Sequence, residues 1–124
     1  MAMNKYFWDT YAIIEFIHGN PNFARFINEP VVITIFNLTE IFWTALNEYE
    51  EEKANKIYEH YKKCVIKVDD ETIKEAIKFR KKVYKKSKIS YADAIGYISA
   101  LKNNLRFLTG DKEFKDLDNV EFVK

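Results

Sequence analysis

The chain has 124 residues, 48% hydrophobic and 31% charged, a composition that fits one folded domain with its own core and excludes a disordered chain. Its 20 basic and 19 acidic residues leave a net charge of +1, so any nucleic-acid site must come from a local patch. The single cysteine, Cys64, excludes an internal disulfide and a cysteine-based zinc site, and no apolar run suits a signal sequence or a membrane span. We therefore expect a soluble, cytoplasmic protein without a membrane partner.

The N-terminal quarter of the chain predicts one strand and two helices. Residues 5–8 read as the first strand, and Asp9 or Thr10 caps the helix that follows it. Gly19-Asn20-Pro21 breaks that helix, and residues 22–28 form a short second one. An acid thus stands where the first predicted strand passes into the first helix.

A second strand and a long helix come next. Residues 31–35 are β-branched and apolar on both faces, as in a covered parallel strand. Asn37 is the predicted cap of the following helix, which runs through Leu46, and Glu40 takes the capping-box position in its first turn.

The middle of the chain repeats the alternation and ends in a basic run. A helix is predicted over residues 54–61, a short strand over 65–68 and a helix that starts at Asp69-Asp70 and continues to Val83. The basic run spans residues 80–88 and contains Arg80, Lys81, Lys82, Lys85, Lys86 and Lys88.

The stretch from Ser90 to Asp111 supplies two further acids. Ser90 with Asp93 has capping-box spacing at the start of a helix. Residues 105–108 then read as a strand, and Thr109-Gly110-Asp111 as the turn that leaves it. A last strand covers residues 120–123.

Alternating strands and helices argue for a parallel sheet covered on both faces. We predict an α/β fold in a single domain over residues 1–124, a three-layer α/β/α arrangement around a central, mostly parallel sheet of about five short strands. The C-terminal ends of parallel strands share one edge of the sheet, and open α/β sheets bind ligands at that edge. The acids that could meet there are Asp9, Glu40, Asp93 and Asp111.

Each acid alone is more easily explained as a helix cap, a partner of the helix dipole or a turn residue. As a set they repel one another, since a pair at about 4 Å costs roughly 4 kcal/mol at an effective dielectric constant of about 20. Such a cluster needs a proton, a base or a cation, and no Lys or Arg interrupts the four segments, although Lys112 adjoins the last. Oxygen ligands suit Mg²⁺ or Mn²⁺, and a cation held in this way equips a protein for phosphodiester hydrolysis.

The roles that follow are a hypothesis. Asp9, Asp93 and Asp111 bind one or two metal ions, directly or through water, and Glu40 binds metal or orients the attacking water.

Four pieces of sequence surround these acids: FWDTYAIIEFI, NLTEIFW, YADAIGYISA and FLTGDKEF. In this order, over nearly the whole chain, they resemble the PIN-domain ribonucleases, and most closely the short toxins of the VapC type. The resemblance implies the same roles for the four acids, with RNA as the substrate. It also implies a cognate antitoxin that blocks the acidic pocket, and a homodimer for which exposed aromatic residues on the early helices are candidates.

Four further residues are candidates for positioning the substrate. Thr10 and Thr109 match hydroxyl positions beside the acids in that family, although a helix cap and a strand-end residue explain them more simply. Lys85 and Lys86 could steer an RNA backbone toward the acids, or only complement a solvated helix end. Tyr11 departs from the family, which often has Asn or Ser after Asp-Thr.

Three alternatives stay open. The chain could be a PIN-type nuclease of RNA maturation, a non-catalytic PIN-fold module for RNA binding or assembly, or an α/β domain whose acids are only caps. Cleavage that requires Mg²⁺ or Mn²⁺ and stops with EDTA separates a catalyst from a binder. His18, His60 and the three glycines form no catalytic triad or phosphate loop.

Overall fold

This computed structural model describes residues 4–124, which fold around a parallel sheet. Its strands are β1 (Tyr6–Trp8), β2 (Arg106–Thr109) and β3 (Val120–Phe122). The helices are α1 (Thr10–Ile17), α2 (Ile35–Glu48), α3 (Glu51–Lys62), α4 (Asp70–Val83) and α5 (Tyr91–Lys102), with short 3₁₀ helices at Pro21–Phe26 and Lys112–Phe114. Within the described residues, no helix combines the length and the apolar character needed to cross a bilayer.

The sheet has the order β1-β2-β3 with both pairings parallel, and Phe7 lies opposite Phe107. Two further segments extend it beyond β1 by isolated contacts. The Trp8 amide donates to the Val32 carbonyl at 3.0 Å, and Ile33 forms a parallel bridge with Val65. The predicted α/β class is therefore confirmed, but the predicted strands at 31–35 and 65–68 are reduced to single bridges.

The helix that carries Glu40 begins earlier than the sequence predicts. Thr34 is its N-cap, and it forms the capping box with Asn37 at the third helical position. The prediction that Asn37 caps the helix is wrong, and Glu40 lies in the second turn, not in the first. Because the Thr34 hydroxyl can cap a helix, the β-branched run is divided between the bridge at Ile33 and the start of α2.

Alternate residues of β1 and β2 face opposite sides of the sheet, as the strand period of two requires. Phe7 and Phe107 belong to one buried cluster, where their rings stack with centroids 5.9 Å apart. Trp8 and Leu108 belong to a second buried cluster. Two buried clusters on opposite faces of one sheet confirm the three-layer α/β/α arrangement.

Helix α5 packs directly onto the aromatic pair because Gly96 has no side chain. A Cβ at Gly96 would lie 2.9 Å from Cε1 of Phe7, closer than carbon atoms normally approach. The glycine thus holds α5 close to the sheet, and Asp93, one turn earlier on the same helix, is held with it.

Candidate active site

The ends of β1 and β2 bring three of the predicted site residues to one edge of the sheet. Asp9 directly follows β1, and its amide donates to the Leu108 carbonyl at 2.9 Å. Thr109 ends β2, and its hydroxyl donates to Oδ2 of Asp9 at 2.7 Å. The amide of Asp111 donates to that same hydroxyl oxygen at 3.0 Å. Thr109 therefore connects the two acids that follow the parallel strands.

Asp9 is the acid most removed from solvent. Its side chain is 2% exposed, and its Oδ1 accepts a bond from the Thr10 amide at 2.9 Å as the N-cap of α1. Both carboxylate oxygens of Asp9 thus accept one hydrogen bond each, from Thr10 and from Thr109. The Thr10 amide at the start of α1 and the Thr109 hydroxyl at the end of β2 therefore fix the orientation of the Asp9 carboxylate.

Two helices supply the other acids. Glu40 on α2 accepts a hydrogen bond from the Thr10 hydroxyl to Oε1 at 2.7 Å. Asp93 on α5 accepts one from the Ser90 amide to Oδ2 at 2.9 Å, which confirms the predicted capping box. Asp93, Glu40 and Asp111 all lie near enough to Asp9 for their charges to act on it. Thr10 and Thr109 each donate directly to one of the four acids.

The acids perturb one another electrostatically. Burial raises the pKa of Asp9 well above its ordinary value, and the charges of Asp93, Glu40 and Asp111 raise it further against the lowering effect of the Thr109 hydrogen bond. Burial followed by the charge of Asp111 raises the pKa of Asp93, and burial with the charge of Asp93 raises that of Glu40. Within residues 4–124, none of the four acids forms an ion pair with a lysine, arginine or histidine. In the described part of the chain, the cluster therefore lacks a positive partner.

The donor set fits a hard divalent cation by its chemistry. Among the described residues, no three acidic, histidine or cysteine side chains are already placed as a ligand set for a metal ion. Three carboxylates nevertheless each keep an oxygen to which no amide or hydroxyl of residues 4–124 donates: Oε2 of Glu40, Oδ1 of Asp93 and Oδ2 of Asp111. Free carboxylate oxygens beside uncompensated negative charge suit Mg²⁺ or Mn²⁺, which prefer oxygen ligands and retain water.

Asn37 belongs to the site, although the sequence assigned it only a capping role. Its fully buried side chain accepts from the amide and the hydroxyl of Thr34 at Oδ1, at 3.0 and 2.8 Å. Its Nδ2 therefore faces Thr10 and donates to that hydroxyl oxygen at 3.1 Å. The hydroxyl hydrogen of Thr10 is left for Glu40, so Asn37 fixes the direction of that bond. The spacing of Thr34, Asn37 and Glu40, three residues apart, indicates only that they share one helix face and gives no signal for the contact with Thr10.

We expect Asn37→Ala to lower the free energy of unfolding by about 1–3 kcal/mol, because it leaves two buried donors of Thr34 without their acceptor. Urea denaturation followed by circular dichroism measures the change. Asn47→Ala is the matched control on the same helix, since Asn47 is exposed and donates to the Trp43 carbonyl one turn earlier. Equal effects of the two substitutions would contradict the assigned role of Asn37.

Tyr11, the residue that departs from the family pattern, lies against the turn between Thr109 and Asp111. A Cβ on Gly110 would overlap the Tyr11 ring and the carbonyl oxygen of Val123. Burial and the nearby charges of Glu15 and Asp111 raise the pKa of the Tyr11 hydroxyl. Glycine at position 110 is therefore what admits an aromatic ring beside Asp111.

Lys85 and Lys86 are not in contact with the acids. They lie exposed in the linker between α4 and α5, on the wall of an adjacent cavity. Arg80, from the same basic run, is structural. Its Nε donates to the Ile89 carbonyl at 2.8 Å, and its guanidinium lies 4.4 and 4.3 Å from the ring centroids of Tyr84 and Tyr91.

A known domain family matches the chain by sequence. The sequence model of the PIN domain family matches residues 6–120. No curated protein matches the chain by sequence.

Three solved structures share the fold over almost their full length. A toxin–antitoxin complex from Klebsiella pneumoniae is 16% identical with a TM-score of 0.73, covering 94% of this chain and 96% of that one. VapBC2 from Rickettsia felis, bound to a DNA fragment from its promoter, is 15% identical with a TM-score of 0.72, covering 96% and 98%. VapBC-1 from nontypeable Haemophilus influenzae is 19% identical with a TM-score of 0.71, covering 94% and 95%.

Proposed function

The chain belongs to the PIN domain family, and on that premise we propose that it is a divalent-metal-dependent endoribonuclease, the toxin of a toxin–antitoxin pair. One observation carries the proposal. Four carboxylates from distant parts of the chain converge at the sheet edge, three of them with raised pKa values, and none has a cationic partner among the described residues. Carboxylates with raised pKa values cluster at functional sites, and a bound cation would offset the repulsion between them. We take residues 1–124 as one nuclease domain.

In this proposal, Asp9, Asp93 and Asp111 hold Mg²⁺ or Mn²⁺, directly or through water. The bound ion supplies a water of lowered pKa and offsets the negative charge on the phosphate. The carboxylate of Asp9 has a fixed orientation, because each of its oxygens already accepts a hydrogen bond. Asp93 and Asp111 contribute oxygens that accept no hydrogen bond from an amide or hydroxyl of residues 4–124.

Glu40 is the candidate base or water-orienting group. Thr10 donates to Oε1, which leaves Oε2 to accept a hydrogen bond or a proton from the attacking water. Burial raises the pKa of Glu40, and a raised pKa makes a carboxylate a better proton acceptor near neutral pH. Thr10 and Thr109 are then positioning residues, since each holds a carboxylate in place.

The proposal is tested with purified protein and a fluorescently labelled single-stranded RNA. We expect cleavage in the presence of Mg²⁺ or Mn²⁺ and no cleavage with EDTA. RNA that is bound but stays intact with every metal would contradict catalysis and favour the binding module. Gel analysis of the fragments reads out both outcomes.

An antitoxin partner is part of the proposal, supported by the shared fold with chains of VapBC and toxin–antitoxin complexes. The uncompensated acids suit a basic side chain from such a partner, because hydrogen bonds between ionised groups are about twice as strong as those between neutral groups. A small protein encoded beside this chain should then co-purify with it and suppress cleavage.

A homodimer and a cytoplasmic location complete the proposal. Helix α2 presents an exposed apolar face with Trp43 69%, Ile35 47% and Leu46 41% exposed. Surface aromatic residues of this kind are enriched at protein interfaces, and Trp43 meets the expectation of an exposed aromatic on an early helix. The free thiol of Cys64 suits a reducing compartment.

A further inference from the structure

A cavity of about 660 Å³ lies close to Asp111, since Lys112 and Glu113, the two residues that follow this acid, belong to the cavity lining. One wall is the end of α4 and its linker, residues 82–87, and the other is residues 112–117, which contain the second 3₁₀ helix. Four lysines line the cavity: Lys82, Lys85, Lys86 and Lys112. It is therefore a concave basic surface and not a flat solvated helix end.

Both walls are continuous with the acids. The first wall leads within a few residues to Ser90, whose amide holds the carboxylate of Asp93. The second wall begins directly after Asp111, whose Oδ1 accepts a bond from the amide of Glu113 in the cavity lining at 3.0 Å. A nucleic-acid strand that places one phosphate at the acids has this cavity next to it.

The four lysines are available to a ligand. Within residues 4–124 none of them forms an ion pair, whereas Lys5, Lys56 and Lys102 each pair with a glutamate. Glu113 and Asp116 also line the cavity, but the lysines outnumber them. Lys88 is excluded, because its ammonium lies over the Tyr84 ring at 4.4 Å. The positive charge of the cavity is thus confined to four groups that face a space large enough for a phosphate and its sugar.

We propose that this cavity binds a phosphodiester of the RNA substrate adjacent to the one that is cleaved. The inference rests on the proposed function and names a second binding site for the same substrate. A strand is favoured over an acidic protein segment because both cavity walls run directly into the acids that would cleave it. Lys82 and Lys112 join Lys85 and Lys86 as substrate-positioning residues.

The test measures RNA binding in EDTA, where cleavage cannot interfere. Fluorescence anisotropy of a labelled single-stranded RNA is recorded over a range of salt concentrations for two double variants, Lys85→Ala with Lys86→Ala and Lys82→Ala with Lys112→Ala. We expect each to weaken binding roughly three- to tenfold at low salt and to reduce the slope of log K against log salt by about 0.7 for each phosphate that is no longer neutralised.

The matched control is Lys62→Ala with Lys63→Ala, which removes the same charge from exposed positions outside the cavity lining. The control is expected to keep the wild-type slope. An equal loss in the control, wild-type binding by both cavity variants, or no RNA binding by the wild type would overturn the inference. A loss of antitoxin binding with unchanged RNA binding would overturn it in favour of a protein surface.

Kinetics separate this inference from the proposed function. With Mn²⁺ present, the cavity variants should raise KM and leave kcat near the wild-type value, because they remove binding made equally in ground and transition states. RNA binding through the cavity without any cleavage would refute only the nuclease proposal. Cleavage with an unchanged KM in both cavity variants would refute only the second site.

Discussion

Exchange of Asp9 for asparagine is expected to reduce RNA cleavage on the order of 10³-fold or more, since it removes a charge that the reaction requires near its centre. The same change should raise the free energy of unfolding of the metal-free protein. Burial, Asp93, Glu40 and Asp111 together raise the pKa of Asp9, so its charge opposes folding near neutral pH. Loss of function and gain of stability in one variant is typical of a strained functional site.

The gain in stability should be on the order of 1 kcal/mol, because the amide cannot reproduce both hydrogen bonds of the carboxylate and part of the relief is lost. Cleavage assays and urea denaturation in EDTA measure the two effects. Full activity in Asp9→Asn would refute the proposed role of this acid.

Asp69→Asn provides a matched control. Asp69 is the N-cap of α4, as Asp9 is of α1, and its Oδ1 accepts from the Thr72 amide at 2.8 Å. The hydrogen bond with Thr72 lowers the pKa of Asp69, so its charge favours folding. Its exchange should leave cleavage unchanged and should not increase stability, which separates the charge cluster from capping.

Divalent cations are expected to reverse a loss of stability that accompanies rising pH. Asp9, Glu40 and Asp93 have raised pKa values in the folded protein, so above their ordinary values of 3.8 and 4.5 the folded state binds more protons than the unfolded state. The free energy of unfolding must then fall as pH rises through the window up to the folded pKa values. Below that window the acids are protonated in both the folded and the unfolded state, so the free energy of unfolding no longer changes with their titration.

Mn²⁺ or Mg²⁺ should restore the stability, by about 2.7 kcal/mol at a concentration of 100 times the dissociation constant. Urea denaturation between about pH 5 and pH 8, with EDTA and with added metal, gives the measurement. Asp9→Asn is expected to show a smaller pH slope and a smaller response to metal. A stability that ignores both pH and metal would contradict the cation site.

The local features of the site were readable from the sequence. Ser90 and Asp93 carry the whole capping box within four residues, and the structure reproduces it. The position of Asp9 follows from a strand pattern that ends at Trp8, and parallel pairing then determines which edge it shares with Thr109 and Asp111. The sequence pattern is enough to place a site residue where its position depends on a few neighbouring residues or on the direction of the strands.

The support around Glu40 was not readable, because distant contacts decide it. Thr34 and Asn37 are both acceptable caps by propensity, and the bridge between Ile33 and Val65 fixes where the strand stops. The bond from Asn37 to Thr10 joins residues 27 apart in the chain. No local pattern encodes such a contact, and for the same reason the length of the predicted strand at 31–35 was wrong.

The two tryptophans differ in exposure to solvent, so their intrinsic fluorescence can report on two different parts of the protein. Trp8 adjoins Asp9, is 1% exposed, and its indole nitrogen donates to the Pro30 carbonyl at 3.3 Å, whereas Trp43 is 69% exposed. Replacing Trp43 with phenylalanine leaves Trp8 as the only tryptophan, directly before Asp9 in the chain. The emission of that variant reports the arrival of an ion at the sheet edge without any attached dye, and the emission of Trp43 in a Trp8→Phe variant separately reports what covers α2.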